Sequence, residues 1–133
     1  MSGENGHSAQ AWLDKALEDW SAVEIMCAHP RPPFALVCFH CQQFVEKLFK
    51  AFLTLKDVEA PRTHSIGRLI QLAEPHLPRL EMLSDTAAAL SAHGVMSRYP
   101  DDLYITDRAE MNRIIKIARQ FGDLLTPELN PAK

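Results

Sequence analysis

Phe34-Ala35-Leu36-Val37-Cys38-Phe39-His40-Cys41-Gln42-Gln43-Phe44-Val45-Glu46-Lys47-Leu48-Phe49-Lys50-Ala51-Phe52-Leu53-Thr54-Leu55-Lys56 decides the fold. Cys38, Cys41, Val45, Leu48, Phe52 and Leu55 alternate in steps of three and four, the spacing that keeps side chains on one face of an α-helix. Val37, Phe44 and Ala51 widen that apolar arc. At roughly 100° per residue, Gln42, Gln43, Glu46, Lys47, Lys50 and Thr54 fall on the other side. Phe39 and Leu53 intrude there as apolar residues, which predicts a second contact surface or a dimer seam on this helix.

Working outward, Pro30-Arg31-Pro32-Pro33 separates this helix from an earlier one, because proline lacks the amide proton and disfavours helical geometry in the residue before it. The earlier helix is predicted from a cap at Ser8, with Leu13, Ala16, Leu17, Trp20, Val23 and Cys27 on its apolar face. Beyond it, Thr63-His64 ends a loop as a cap for a short helix carrying Ile66, Leu69, Ile70 and Ala73, which Pro75 closes. Pro78 suits the first turn of a fourth helix through Leu80, Leu83, Ala87 and Leu90, with Gly94 past its end. After a loop at Ser97–Asp102, Asp107 and Glu110 stand in capping-box spacing. They open a last helix through Met111, Ile114, Ala118, Phe121 and Leu125 that ends before Pro127. The pattern predicts an all-α, up-and-down bundle of four long helices plus one short helix. Residues 1–7 are expected as a disordered N-terminal tail, 8–126 as the helical bundle and 127–133 as a C-terminal tail.

With 133 residues, 47% of them hydrophobic and 23% charged, the chain suits one domain with one core. A formal net charge of −3 excludes a broad electropositive field for sequence-independent nucleic-acid binding. No stretch approaches the roughly 18 apolar residues of a membrane span, and the N-terminus lacks a signal-peptide pattern, so a cytoplasmic location is expected. Cys27, Cys38 and Cys41 make an odd count without disulfide spacing and are expected as free, buried thiols. Cys38-Phe39-His40-Cys41 invites zinc, but both cysteines fall on the apolar stripe and His40 points away from it. Neither a metal nor any other cofactor is expected.

Gln42-Gln43-Phe44-Val45-Glu46-Lys47-Leu48-Phe49-Lys50-Ala51, Thr63-His64-Ser65-Ile66 and Arg98-Tyr99-Pro100, in this order and spacing, resemble a HEPN domain (higher eukaryotes and prokaryotes nucleotide-binding) over about Ala9 to Leu125. The resemblance implies a helical bundle that forms homodimers, often encoded beside a minimal nucleotidyltransferase with which it acts as a toxin–antitoxin-like pair. Many members of that family are metal-independent RNases with an Arg and a His separated by four to six residues. Here the positions counted from Arg98 are Leu103, Tyr104 and Ile105, and those counted from Arg108, Arg113 or Arg119 hold no histidine either. The ordinary proton shuttle is therefore missing. The chain also lacks the Arg-x4-His-x-Tyr pattern of members whose Tyr is adenylylated; Tyr104 is an approximate match.

The strongest site candidate is Arg98 and Tyr99, a permanently charged fork and an aromatic plane beside Asp101 and Asp102, able to hold a phosphate and stack a base. The bland reading pairs Arg98 with those carboxylates and lets Tyr99 plug the bundle end. Gln43, Glu46, Lys47 and Lys50 read either as a polar ligand face or as solvated charge. His64 reads as a hydrogen-bonded residue of the bundle or a ligand contact. The expected nucleotide- or partner-binding set is Arg98, Tyr99, Asp102, Gln43, Glu46, Lys47 and His64, with no catalytic residue assigned. The expected function is a non-catalytic, homodimeric module that binds a nucleotide or RNA ligand, a nucleotidyltransferase partner, or both. The alternative is an RNase toxin with a degenerate site built from Arg98, Asp102, Tyr104 and His93.

Overall fold

The computed structural model describes residues 3–95 and 106–129 of the chain. Helices α1 (Gly3–Cys27), α2 (Phe34–Leu55) and α5 (Arg108–Leu129) are long; α3 (Ile66–Ala73) and α4 (Ala87–Ser91) are short. The described residues contain no strand. None of their helices is long and apolar enough to cross a membrane.

Helix α2 is the axis of the bundle. It packs most extensively against α1 and next against α5, while α3 and α4 also touch it, and α1 and α5 barely meet. The stripe Cys38, Cys41, Val45, Leu48 and Phe52 is fully buried, as its spacing requires. Leu53, expected on the outer side, is also fully buried, and Phe39 is half-buried. A helix wrapped by several partners has no solvent face wide enough to leave such residues out. Phe49 and Phe121 meet edge-on with centroids 5.7 Å apart, joining α2 to α5.

Helix α1 buries Leu13, Ala16 and Val23, and leaves Leu17 47% exposed at the edge of its stripe. It begins at Gly3, ahead of the cap expected at Ser8. Cys27 is exposed and free, whereas Cys38 and Cys41 are buried. Cys27 lies at the last turn of α1 and faces solvent. Burial pushes the Cys38 thiol up to about 12, helped by the nearby Glu110 carboxylate and Cys27, and burial likewise raises Cys41.

The expected fourth long helix is not one. Pro78–Thr86 forms a 3-10 helix that passes into the single α-helical turn of α4, preceded by a 3-10 turn at Glu74–His76. Leu80, Leu83, Ala87 and Leu90 still face the core, so the hydrophobic reading was right and the helix type wrong. Pro75 and Pro78 remove two amide donors within one turn. Ser84 Oγ and Thr86 Oγ1 then donate to the Glu81 and Leu83 carbonyls at 2.8 and 2.7 Å, favouring the tighter winding.

Two helix ends also differ from expectation. Asp107 Oδ1 accepts the Glu110 amide at 2.8 Å, the expected cap, but α5 runs through Pro127 to Leu129. The only intrahelical acceptor that Pro127 deprives is the Asp123 carbonyl, on an exposed residue near the helix end, where the loss is small. Among the described residues no glycine has positive φ, and Asp57, with φ 58° just after α2, is left-handed. Gly94 serves close approach instead, since a Cβ there would lie 2.9 Å from His64 Cβ and 3.2 Å from Gln42 Nε2.

Candidate functional site

The polar side of α2 is not a solvated face. Glu46 is 3% exposed and its two oxygens are fully engaged. Oε1 accepts from Gln42 Nε2 at 3.1 Å and faces His64 Nδ1 at 2.9 Å, and Oε2 accepts from Lys50 Nζ at 2.8 Å. Burial drives the Glu46 carboxyl upward, but hydrogen bonds from Lys50, His64 and Gln42, with the Lys50 charge, outweigh it and hold the group below its ordinary value. The buried charge is stable because three groups, Lys50 among them with its positive charge, face its two oxygens.

Gln42 spreads this cluster across the bundle. It is fully buried, donates to the His64 backbone carbonyl at 3.1 Å and accepts from Gln43 Nε2 at 2.8 Å. It thus ties α2 to the segment leading into α3. That segment is capped by Ser65, not Thr63: Ser65 Oγ accepts the Arg68 amide at 3.2 Å, and Thr63 Oγ1 accepts the Ser65 amide at 3.1 Å. One turn along α2 from Glu46, Lys50 lies 5.2 Å from the centre of the Trp12 ring, anchoring α1 to the same cluster.

A second buried carboxylate lies nearby on α2's partner helix. Asp19 of α1 is 7% exposed and meets His40 Nδ1 at 2.7 Å and Lys47 Nζ at 2.6 Å. Lys47, expected among the ligand-facing residues, therefore has its charge neutralised inside the domain. The sequence did carry a signal: Asp19 sits between Ala16, Trp20 and Val23 on the apolar stripe, where a lone carboxylate requires a buried cation. Cys38 and Cys41 turn inward while His40 turns to Asp19, so this tetrapeptide does not converge on a metal.

His64 is the outward-facing member of the site, with 59% of its side chain exposed. With Nδ1 against Glu46, Nε2 has no hydrogen-bond partner among the described residues and is the nitrogen left for a ligand or a proton. Gly94 packs directly on His64 and Gln42, and Ser91 Oγ accepts the Ile66 amide at 2.8 Å, so the end of α4 is clamped to the start of α3. His93 is buried, with Nε2 3.8 Å from Glu110 Oε2 of α5. Burial lowers its pKa, partly countered by Glu110. Arg98, Tyr99, Asp102 and Tyr104 lie outside the described residues. Of the other expected residues, Glu46, Gln43 and His64 come together, and Lys47 joins Asp19.

The described residues form an all-α domain in which a buried carboxylate holds one outward-facing imidazole. The HEPN domain family model matches residues 9–128, and the chain belongs to that family. No curated protein and no solved structure matches the chain.

Proposed function

We propose that this chain is a non-catalytic HEPN module that homodimerises and binds a nucleotide, a nucleotidyltransferase partner, or both, as in toxin–antitoxin-like pairs. Family membership supports the coarse reading of a nucleotide-binding or RNase-type domain. The observation that carries the finer one is the seating of Gly94 against His64 and Gln42. Arg98 and Tyr99 follow Gly94 by four and five residues in the sequence. A guanidinium and an imidazole acting together suit a phosphate, and an aromatic ring suits a base. Lys47 and Glu46 act behind this surface, fixing α1 and His64 rather than touching ligand.

One observation favours the RNase reading. Glu46 orients His64 through Nδ1, the arrangement by which a carboxylate sets the tautomer of a histidine that moves protons at Nε2. Such a histidine lies outside the Arg-x4-6-His pattern and would be missed by it.

Calorimetric titration of ATP and of a short RNA, with the RNA recovered afterwards, tests both. Binding without cleavage, weakened by Arg98→Ala and His64→Ala, is the expected result. Cleavage lost in His64→Ala would overturn the non-catalytic reading, and no binding of either ligand would remove the nucleotide branch. Light scattering should give about twice the 15.0 kDa chain mass; a monomer at high concentration would remove the dimer.

A further inference from the structure

Helices α1 and α5 flank α2 without closing on one another, and a cavity of about 580 Å³ lies between them, lined by none of the residues discussed above as ligand-facing. That volume suits a small organic ligand. Trp20 and Phe44 form its aromatic floor, with ring centroids 4.9 Å apart and planes tilted by 38°. Gly122 lets the Phe44 ring lie on the backbone of α5, because a Cβ there would come within 3.2 Å of Phe44 Cζ.

The rim carries both signs. The Arg119 guanidinium stands over the Trp20 ring at 5.7 Å, and Asp123 follows one turn later on α5. Among the described residues, neither takes part in an ion pair. Pro127, which has no amide proton, closes the far end of the cavity beside Thr126. A plain anion is repelled by Asp123 and a plain cation by Arg119. A flat ring bearing adjacent N–H donors and a carbonyl on one edge satisfies both.

We propose that this cavity binds a planar heterocycle with a guanine-type edge. The ring stacks on Trp20 beside the edge of Phe44, its neighbouring N–H groups donate to the Asp123 carboxylate, and its carbonyl accepts from Arg119. Arg119 is exposed and its long side chain is free to swing off the indole as the ring enters. This edge occurs in guanine nucleotides and in pterins, and the site is distinct from the cluster around Glu46.

The test uses the full chain carrying Trp12→Phe, so that Trp20 is its only tryptophan. Guanosine 5′-monophosphate, neopterin and adenosine 5′-monophosphate are titrated while indole fluorescence is followed. Quenching by the guanine nucleotide, by neopterin or by both supports the site and identifies the source. Adenosine monophosphate should bind about tenfold more weakly or worse, and Asp123→Asn should weaken the favoured probe by at least about tenfold. Asp123 is exposed, so this variant should fold normally, as circular dichroism will verify. No quenching by either probe at millimolar concentration would overturn the proposal, as would equal binding of adenosine monophosphate or indifference to Asp123→Asn.

Discussion

Replacing Glu46 with alanine removes the acceptor shared by Gln42, His64 and Lys50. Breaking a buried pair by deleting one partner costs roughly 3–5 kcal/mol when the other charge stays buried. Here the cost is smaller, because the His64 side chain is 59% exposed and Lys50 14% exposed, so both recover some hydration. Gln42 is fully buried but keeps its bond to the His64 carbonyl. A loss of about 2–3 kcal/mol follows, read as a lower urea midpoint at unchanged m-value. Glu46→Gln keeps the shape and one acceptor oxygen and should cost about half as much. The pH dependence has a definite sign. The folded carboxyl titrates below its ordinary value of 4.5, so its contribution is fully present above that pH and is lost as the pH falls through the depressed folded value. Glu46→Ala should lack that component of acid destabilisation. A Glu46→Ala variant within about 0.5 kcal/mol of the parent, with an unchanged acid limb, would refute the reasoning.

Three further outcomes are expected. His93 is held below its ordinary 6.5 by burial, so the unfolded chain takes up a proton there first and stability falls as the pH drops below 6.5; His93→Gln should flatten that part of the profile measured by thermal melting. Gly94→Ala forces a Cβ to within 2.9 Å of His64 Cβ, which should cost about 1–3 kcal/mol in denaturant unfolding and shift the His64 imidazole resonances. Iodoacetamide should modify Cys27 in the native protein while Cys38, raised to about 12, and Cys41 react only after denaturation, which peptide mass spectrometry will resolve.

The periodic segments were legible because a three-four alternation reports a helix whatever it packs against. Helices α2 and α3 followed from it directly, and the start of α5 followed from the Asp107 cap. The stretch from Pro78 to Thr86 was not legible in type, since Leu80 and Leu83 suit a 3-10 and an α-helix equally, and the decision fell to hydroxyl bonds of Ser84 and Thr86. Leu53 was misplaced because a helical wheel divides inside from outside only for a helix with one partner layer, and α2 has several. Glu46 and His64 were both singled out, yet their 18-residue separation hid that one holds the other. Asp19 was readable in principle, as a carboxylate inside an apolar stripe, while its partners His40 and Lys47 become evident only when α1 lies on α2.

The lopsided packing of α2 also orders the events by which the chain folds. Its largest interface is with α1, its neighbour in sequence, joined by a short proline-rich turn and pinned through Asp19 to His40 and Lys47. Contacts between adjacent segments cost little loop-closure entropy and form early. Helix α5 reaches α2 only after the intervening chain has been gathered in, so the α1–α2 hairpin is expected to gain amide protection first and α5 to dock last. Pulsed hydrogen exchange during refolding would then find the Trp20–Phe44 side of the hairpin formed while the cleft above it is still open on its second wall.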